Sequence, residues 1–504
     1  MRSRRLKIGV LDLLSGETNG GVAARPYGLI YRRMFYGVMP QVVAAWCRRR
    51  GHQVHYATYF GQCRPERLMP AGLDLVFISA FTEAAALAYA LAVLFRQDGV
   101  RTVLGGPHAR SFPNDARRFF DAVVVSCDAT AIENILCGEY PPGAIVRVPG
   151  TLLHIPSLEE RRADIDRATT IAGRHWGISV VPLLASTGCP YACDFCVDWN
   201  NPYLARSQDE LQGDLGYASR ALPGRLLAFH DPNFGVRFDQ ILDAFVGIGP
   251  EHRNPYLIET TLSILKKDRL DRLAQTNCVF VAPGVESWSD YGAKAGTGQR
   301  TRHAKLEHVV AQFDVIAAHI PEVQANFMFG NEADSGEEPI ELTREFIRLR
   351  PRICPVISYP LAYGGTLLRE TLRLEGRLLP LPSIYYFTPL PSFRVKHYAP
   401  AAFYAGLISL LQASVAARVV ATRLAASDGV AMRLMHLLRA FAINAYVREL
   451  RAFLSVLRTD SSVARFADGT NASVPAYFDR LLDSRLGRYA VLLAEPARHQ
   501  LCAD

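Results

Sequence analysis

Ser186-Thr187-Gly188-Cys189-Pro190-Tyr191-Ala192-Cys193-Asp194-Phe195-Cys196 sets three cysteines in a C-x-x-x-C-x-x-C pattern within eight residues. A loop that short can turn three thiolates toward one point, and thiolates select soft metals, zinc or iron–sulfur. A structural zinc site takes four ligands and usually pairs two C-x-x-C arms. No second arm and no H-x-x-x-H follows in this chain. Three cysteines on a cubane cluster leave one iron without a protein ligand, an open position of the kind catalytic metal sites keep. The bland alternative is three ordinary buried thiols. That reading is kept for Cys47, Cys63, Cys127, Cys137, Cys278, Cys354 and Cys502, which show no metal spacing.

The elements that must position this loop fall into two runs of strand–helix alternation. In residues 1–140, short apolar strands are expected at Lys7–Leu11, Gln53–Ala57, Leu75–Ile78, Thr102–Leu104 and Asp121–Val125. Four- or five-residue apolar runs between helices imply a parallel sheet covered on both faces. Such sheets take ligands at the carboxyl ends of their strands. Ser79 follows the third strand and Gly105-Gly106-Pro107-His108 follows the fourth. Residues 141–179 read as a connector, with a hairpin expected at Pro149-Gly150 and a charged, exposed stretch from Ser157 to Asp166. In residues 180–375 six longer-spaced units suggest a partial α/β barrel, with strands at Val180–Ala185, Leu226–Asp231, Tyr256–Thr260, Val279–Gly284, Val323–Phe329 and Val356–Ser358. The cysteine loop leaves the first of these. Barrel chemistry sits at the strand C-termini, and the polar residues there are His230, Asp231, Asn233, Glu259, Glu286, Ser287 and Asn326. Residues 376–504 show three- and four-residue apolar spacing and read as helices covering the barrel; Tyr385, Tyr386, Phe387 and Tyr398 are candidates to line a pocket or to pack.

The cysteine loop resembles that of the radical S-adenosylmethionine (SAM) superfamily. The resemblance implies a [4Fe–4S] cluster on Cys189, Cys193 and Cys196, SAM chelated to the fourth iron, and a SAM-side role for the aromatic Phe195. It further assigns Asp231 to the SAM amino group, Glu286 to the ribose, and Gly330 to the adenine, with Glu259 as a further SAM-side acid. The front run resembles the cobalamin-binding-type Rossmann-like domain fused ahead of many radical SAM enzymes: Ser79 and, 26 positions on, Gly105-Gly106 and His108 stand where that domain cradles cobalamin. The chain departs from the mutase version, since Asp12 is followed by Leu13, Leu14, Ser15 and Gly16 with no histidine at the cobalt-ligand position.

The two resemblances together imply one-electron cleavage of SAM, hydrogen abstraction from an unactivated carbon by the 5′-deoxyadenosyl radical, and C-methylation through cobalamin of a small-molecule substrate. The alternatives are a radical SAM oxidoreductase, cyclase or rearrangement enzyme without methyl transfer, or a non-catalytic cobalamin or iron–sulfur sensor. A flavodoxin- or ferredoxin-type electron donor is implied. Composition agrees with a globular chain: 504 residues, 49% hydrophobic and 21% charged. Ten cysteines in so long a chain are no disulfide framework, so a reducing, cytoplasmic setting is expected. The net charge of +8 lies in short arginine clusters without aromatic interleaving, so nucleic acid is not expected. The N-terminus does not read as a signal peptide. No transmembrane segment is expected, because the apolar stretch from Leu75 to Phe95 reads as a strand and then a separate helix.

Overall fold

The structure, a computed structural model, describes residues 4–18, 30–148, 154–171, 174–175, 180–199, 201–289 and 302–502. The expected hairpin at Pro149-Gly150 lies outside them. The front unit runs β1 (Lys7–Leu13), α1 (Val38–Arg49), β2 (Gln53–Tyr59), β3 (Leu75–Ala80), α2 (Ala85–Gln97), β4 (Arg101–Gly105), α3 (Gly106–Ser111), β5 (Ala122–Val124), α4 (Ala129–Cys137) and β6 (Ala144–Val146). Its sheet has the order β2-β1-β3-β4-β5-β6 and every pairing is parallel. The order reverses between β1 and β3, the switch point at which doubly wound sheets open a crevice for a ligand. The loops after β1, β3 and β4 converge there. β6 was not expected: three residues behind Pro141-Pro142-Gly143 are too short a run to show any periodicity. The stretch from Leu75 to Phe95 divides as expected into β3 and α2, joined by the turn Thr82–Ala84. α2 is buried along most of its length because the sheet covers one side and the segment Gly487–Leu492 packs on it as well.

Leu158–Thr169 forms α5, not an exposed charged connector. Two of its charges turn inward: Arg161 and Asp164 are both 0% exposed. Arg161 donates to the Pro156 carbonyl, to Gln41 Oε1 on α1 and to the Pro182 carbonyl on the first barrel strand, at 3.2, 3.1 and 3.3 Å. Arg48 on α1 forks onto Asp164, and Tyr36 donates to the Val180 carbonyl. Arg161 and Asp164 are therefore the polar rivet between the two sheets, Arg161 held by carbonyls and Gln41 and Asp164 by Arg48, while Glu159, Glu160 and Arg167 stay exposed as the sequence suggests.

The second sheet contains β7 (Val180–Leu183), β8 (Leu226–Phe229), β9 (Tyr256–Thr261), β10 (Cys278–Glu286), β11 (Glu322–Met328) and β12 (Cys354–Ser358), parallel and in sequential order. This is the strand order of an α/β barrel left open after six units. The intervening helices α6 (Gln208–Ala221), α7 (Lys267–Gln275), α8 (Arg302–His319) and α9 (Glu338–Leu349) bury leucine, isoleucine and phenylalanine on their inner faces. Beyond β12 come α10 (Leu367–Leu374), α11 (Pro400–Ser414), α12 (Ala417–Ala426) and α13 (Val430–Thr459), later followed by α14 (Ala476–Leu486). α11 packs on β12, α9 and α13, so the helical region covers the barrel's last strand. α12 and α13 close the strands' amino ends: Arg423 donates to the Ile353 carbonyl, Arg439 to Cys354 Sγ at 2.7 Å, and His436 pairs with Glu322 at 3.4 Å. Among the described residues no single helix is long and apolar enough to cross a membrane.

Arg161→Ala removes two bonds that cross from α5 to α1 and to β7 and a third to Pro156, and leaves Gln41 and two carbonyls without this partner. The expected loss is about 3 kcal/mol. Urea unfolding followed by tryptophan fluorescence should show a lowered midpoint and a transition split between the two sheets. An unchanged single transition would contradict this role for Arg161.

Candidate active site

The cysteine loop is a closed omega. Ser186-Thr187 pairs antiparallel with Leu204-Ala205, and Arg206 N–H returns to the Ala185 carbonyl at 2.9 Å. Gly188 sits at the neck with φ +71°, and a Cβ there would stand 2.2 Å from the Pro202 carbonyl oxygen and 2.7 Å from that of Asn201. Only glycine permits that conformation and that approach together. Past the neck, Cys189 and Cys193 are 2% and 5% exposed, and Cys196 is partly exposed. Cys196 N–H closes a turn onto the Cys193 carbonyl, and Asp198 N–H points at Cys196 Sγ, 3.4 Å away. Among the described residues no three His, Cys, Asp or Glu side chains converge closely enough for one metal ion. A cubane has no such requirement, because it distributes its three cysteines over three irons. The donor set, three thiols on a locked loop with a backbone N–H directed at one sulfur, fits that group.

Three parts of the chain hold the loop. Arg110 of α3 donates to Asp198 Oδ1 at 2.8 Å and to the Val197 carbonyl at 2.9 Å. Leu368 N–H of α10 donates to the Asp194 carbonyl, and Trp199 Nε1 donates to the Gly365 carbonyl. From the barrel, Asp231 accepts from Ala185 N–H at 3.0 Å and from the Ser186 hydroxyl at 2.5 Å. Its carboxyl is 2% exposed, and burial pushes its pKa up to about 6 against those two hydrogen bonds. Asp231, which the sequence resemblance places at the SAM amino group, here anchors the approach to the cysteine loop. Phe195 packs against the cluster of Ala362, Leu368, Leu372 and Phe393, seating the loop on α10.

The barrel lumen follows from register. Ala228, Leu257, Phe280 and Glu322 share one row; Glu259, Ala282 and, further up, Gly284, Asn326 and Val356 continue the inner face. Glu259 is exposed in the middle of a central strand, which is possible only because it points into the open lumen. His230 stands one step beyond Phe229, and burial pushes its pKa down to about 4, so its imidazole is neutral at pH 7. Asn326 takes Gln324 Nε2 on its oxygen at 2.8 Å. Gln324 and Ser358 are lumen residues that sequence reading missed; the period-two alternation from Asn326 and Val356 would have found them. Glu286 ends β10 at φ +64°, rare for a residue with a side chain, at a break in the β10–β11 register. Such outliers cluster at functional sites. Its carboxyl folds back over Gly284, where a Cβ would lie 2.2 Å from Oε1. The next turn is braced by Asp334, also missed, which accepts from Ser287 at 2.6 Å, Ser289 at 3.2 Å and Asn331 at 2.6 Å.

Gly330 and His108 both have partners far from the cysteine loop in sequence. Gly330 has φ +77°, and the space its Cβ would fill holds Phe403 of α11, 2.5 Å away, so a glycine is needed there to let the covering helix pack. His108 is 0% exposed, with Nε2 2.7 Å from Tyr89 Oη and Nδ1 3.3 Å from Thr82 Oγ1, and burial lowers its pKa to about 4. Tyr89 continues to Asp115, which Ser383 reaches from the C-terminal region. His108 ties α3 to the core through Tyr89 and Thr82. Tyr385 and Tyr386 are likewise buried, with Tyr385 Oη donating to Asp479 at 2.5 Å.

At the front sheet's switch point the two glycines differ. Gly106 has φ +86°, and a Cβ would lie 2.9 Å from both Ala80 N and Ser79 Oγ. Gly105 is extended, and a Cβ there meets nothing within 4 Å. Ser79 hydrogen-bonds Asp12, whose pKa burial raises to about 6. The result is a backbone edge facing open space at the carboxyl end of β4, a fit for a group that needs close main-chain approach.

No family model matches the chain. Two curated relatives from Chlorobaculum tepidum align with it. Bacteriochlorophyllide d C-8(2)-methyltransferase is 23% identical over 321 residues, 60% of this chain and 69% of the relative. Bacteriochlorophyllide d C-12(1)-methyltransferase is 22% identical over 312 residues, 60% and 66%. Among solved structures, the cobalamin-dependent S-adenosylmethionine radical enzyme OxsB with aqua-cobalamin bound superposes with a TM-score of 0.55 at 10% identity, over 97% of this chain and 79% of that one. The chain has the fold of the cobalamin-dependent radical SAM enzymes. The radical SAM methyltransferase TsrM from Kitasatospora setae, solved with tryptophan and a SAM analogue, gives a TM-score of 0.50 at 14% identity over 74% and 77%. In this fold the cysteine loop leaves the first barrel strand, and Gly105-Gly106 ends β4 of the front sheet.

The Asp231 carboxyl carries a pH signature. A folded-state pKa of about 6 against an ordinary 3.8 means the folded chain keeps a proton that the unfolded chain has lost. Its contribution to stability is therefore full below pH 3.8 and falls as pH rises to about 6, by up to ~3 kcal/mol. Denaturation of wild type and Asp231→Asn between pH 4 and 7 should show wild type losing ground to the variant as pH rises. Parallel curves would contradict the burial of this charge.

Proposed function

We propose that this chain is a radical SAM enzyme that uses cobalamin to methylate an unactivated carbon of a small molecule. The observation that carries the reading is α3: one six-residue helix begins at the Gly105-Gly106 edge and ends with Arg110 clamped on the cysteine loop. The front-domain cradle and the loop of thiols are thereby held at a fixed spacing. The relatives named as methyltransferases, acting on positions 8(2) and 12(1) of their own substrate, support transfer to carbon.

Cys189, Cys193 and Cys196 would hold the cluster, and Gly105, Gly106 and Ser79 would cradle cobalamin. When bound, these groups supply the electron that cleaves SAM and the methyl group that is transferred. The chain's own residues do the rest. Glu259 and Glu286, the carboxylates over the lumen, would take the ammonium and ribose hydroxyls of SAM, since a carboxylate accepts two donors at once. Neutral His230 beside Glu259 offers a hydrogen-bond acceptor without adding charge. The closed omega of the cysteine loop and the front domain's edge cover the mouth and keep water from the reacting carbon. The electron would come from a flavodoxin- or ferredoxin-type donor.

The test is anaerobic reconstitution with iron and sulfide, reduction, and assay for 5′-deoxyadenosine from SAM. Wild type should form it, and Cys189→Ala, Cys193→Ala and Cys196→Ala should each fall to background; persistence in any of them would overturn the site. Incubation with hydroxocobalamin followed by desalting should leave a cobalamin absorption band on wild type. Gly105→Phe, at a position where a Cβ meets nothing within 4 Å, should lose the band while keeping its thermal midpoint. Retention of the band by Gly105→Phe would move cobalamin away from the β4 edge. Absence of the band from wild type would favour radical chemistry without methyl transfer.

A further inference from the structure

α13 is apolar on two opposite faces. One face, with Met435, Val447, Leu450, Phe453, Leu454 and Leu457, is buried against the protein. The other carries Val430, Leu434, Leu437 and Phe441, at 81%, 51%, 48% and 46% exposure. Their i, i+4, i+7, i+11 spacing puts all four on one stripe, three turns long. Elsewhere the exposed large apolar residues, such as Val246, Leu374 and Val491, are scattered over other elements. Scattered exposure is ordinary, whereas a contiguous stripe signals a covering surface.

The charges around the stripe select the cover. Between residues 417 and 448 the sequence has five arginines, Arg418, Arg423, Arg433, Arg439 and Arg448, against one acid, Asp428. Arg423 and Arg439 turn inward onto Ile353 and Cys354. Arg418, Arg433 and Arg448 remain exposed, with Arg448 two turns beyond Phe441, past Asn444, on the stripe's own face. A two-fold pairing of this stripe with itself would set arginines against arginines with almost no acid to offset them. An electron-donor protein is disfavoured by position. His436 and Arg439 fix this end of α13 to the amino ends of β11 and β12, whereas the cysteine loop is at the carboxyl ends. A seven-residue strand separates the two by about 23 Å.

We infer that the α13 stripe lies in the interface of an anionic lipid bilayer, with Val430, Leu434, Leu437 and Phe441 entering the headgroup–acyl boundary and Arg418, Arg433 and Arg448 facing the lipid phosphates. This is the binding mode of an amphipathic helix lying in the membrane plane. It leaves the barrel mouth on the side away from the bilayer, open to its donor.

The full chain is tested by flotation with vesicles of phosphatidylcholine alone and of phosphatidylcholine with one quarter phosphatidylglycerol. Wild type should float with the anionic vesicles, less so in high salt, and about tenfold less with neutral ones. Leu434→Gln/Leu437→Gln/Phe441→Gln, all exposed positions, should cut flotation at least tenfold while keeping the thermal midpoint and the reconstituted iron content. Arg418→Gln/Arg433→Gln/Arg448→Gln should erase the preference for anionic vesicles. No flotation, flotation indifferent to the triple variant, or a dimer that the triple variant converts to monomer would each overturn the inference; the last would make the stripe a contact between copies.

Discussion

The rest of the site depends on the backbone approach at Gly188. A positive φ and a neighbour carbonyl 2.2 Å from where a Cβ would stand leave no alternative residue. That approach lets the chain leave the first barrel strand, enclose three cysteines and return to Arg206 within one closed loop. Arg206 is itself buried, paired with Asp214 at 2.8 Å and bonded to the Leu184 carbonyl. The thiols are thus presented by a rigid ring of main chain, not by a flexible connection, as a site must be if it is to hold groups within a fraction of an ångström.

Around this ring the two sheets act as a pair. Arg161 and the Arg48–Asp164 fork fix the front sheet to the barrel's first strand, and Arg110 fixes the carboxyl end of the front sheet to the loop of thiols. The helical region does two different jobs. α10 and α11 seat the loop through Leu368 and fill the space behind Gly330 with Phe403; α12 and α13 cover the strand amino ends. In a radical SAM fold built this way the mouth is walled by three separate stretches of sequence.

The sequence shows the fold where its signals are local. Apolar runs of four or five residues between helices reveal five of the six front strands, and the six barrel strands appear within a few residues of their ends. The third-dimension events were hidden. β6 is three residues long. α5 looked like an exposed charged run because nothing in Arg161 or Asp164 says that the counterparts lie on α1 and β7. His108, Phe195 and Gly330 stand beside chemistry in the sequence, yet each packs against a stretch far away in the chain: Tyr89, Leu368 and Phe403. Conversely Gln324 and Ser358 were overlooked although the alternation of their strands marks them as lumen residues. What spacing fixes, such as the three cysteines, is legible; which acid faces a ligand and which braces a loop is decided by partners that only the folded chain brings together.

The most direct test of the central constraint is the iron and acid-labile sulfide content of the anaerobically reconstituted chain, measured for wild type and for Gly188→Ala after desalting. The account predicts about four iron and four sulfide per wild-type chain, the content of one cubane, and a loss of most of both in Gly188→Ala with all three cysteines intact. Full retention by Gly188→Ala, or zinc in place of iron in the wild type, would contradict it.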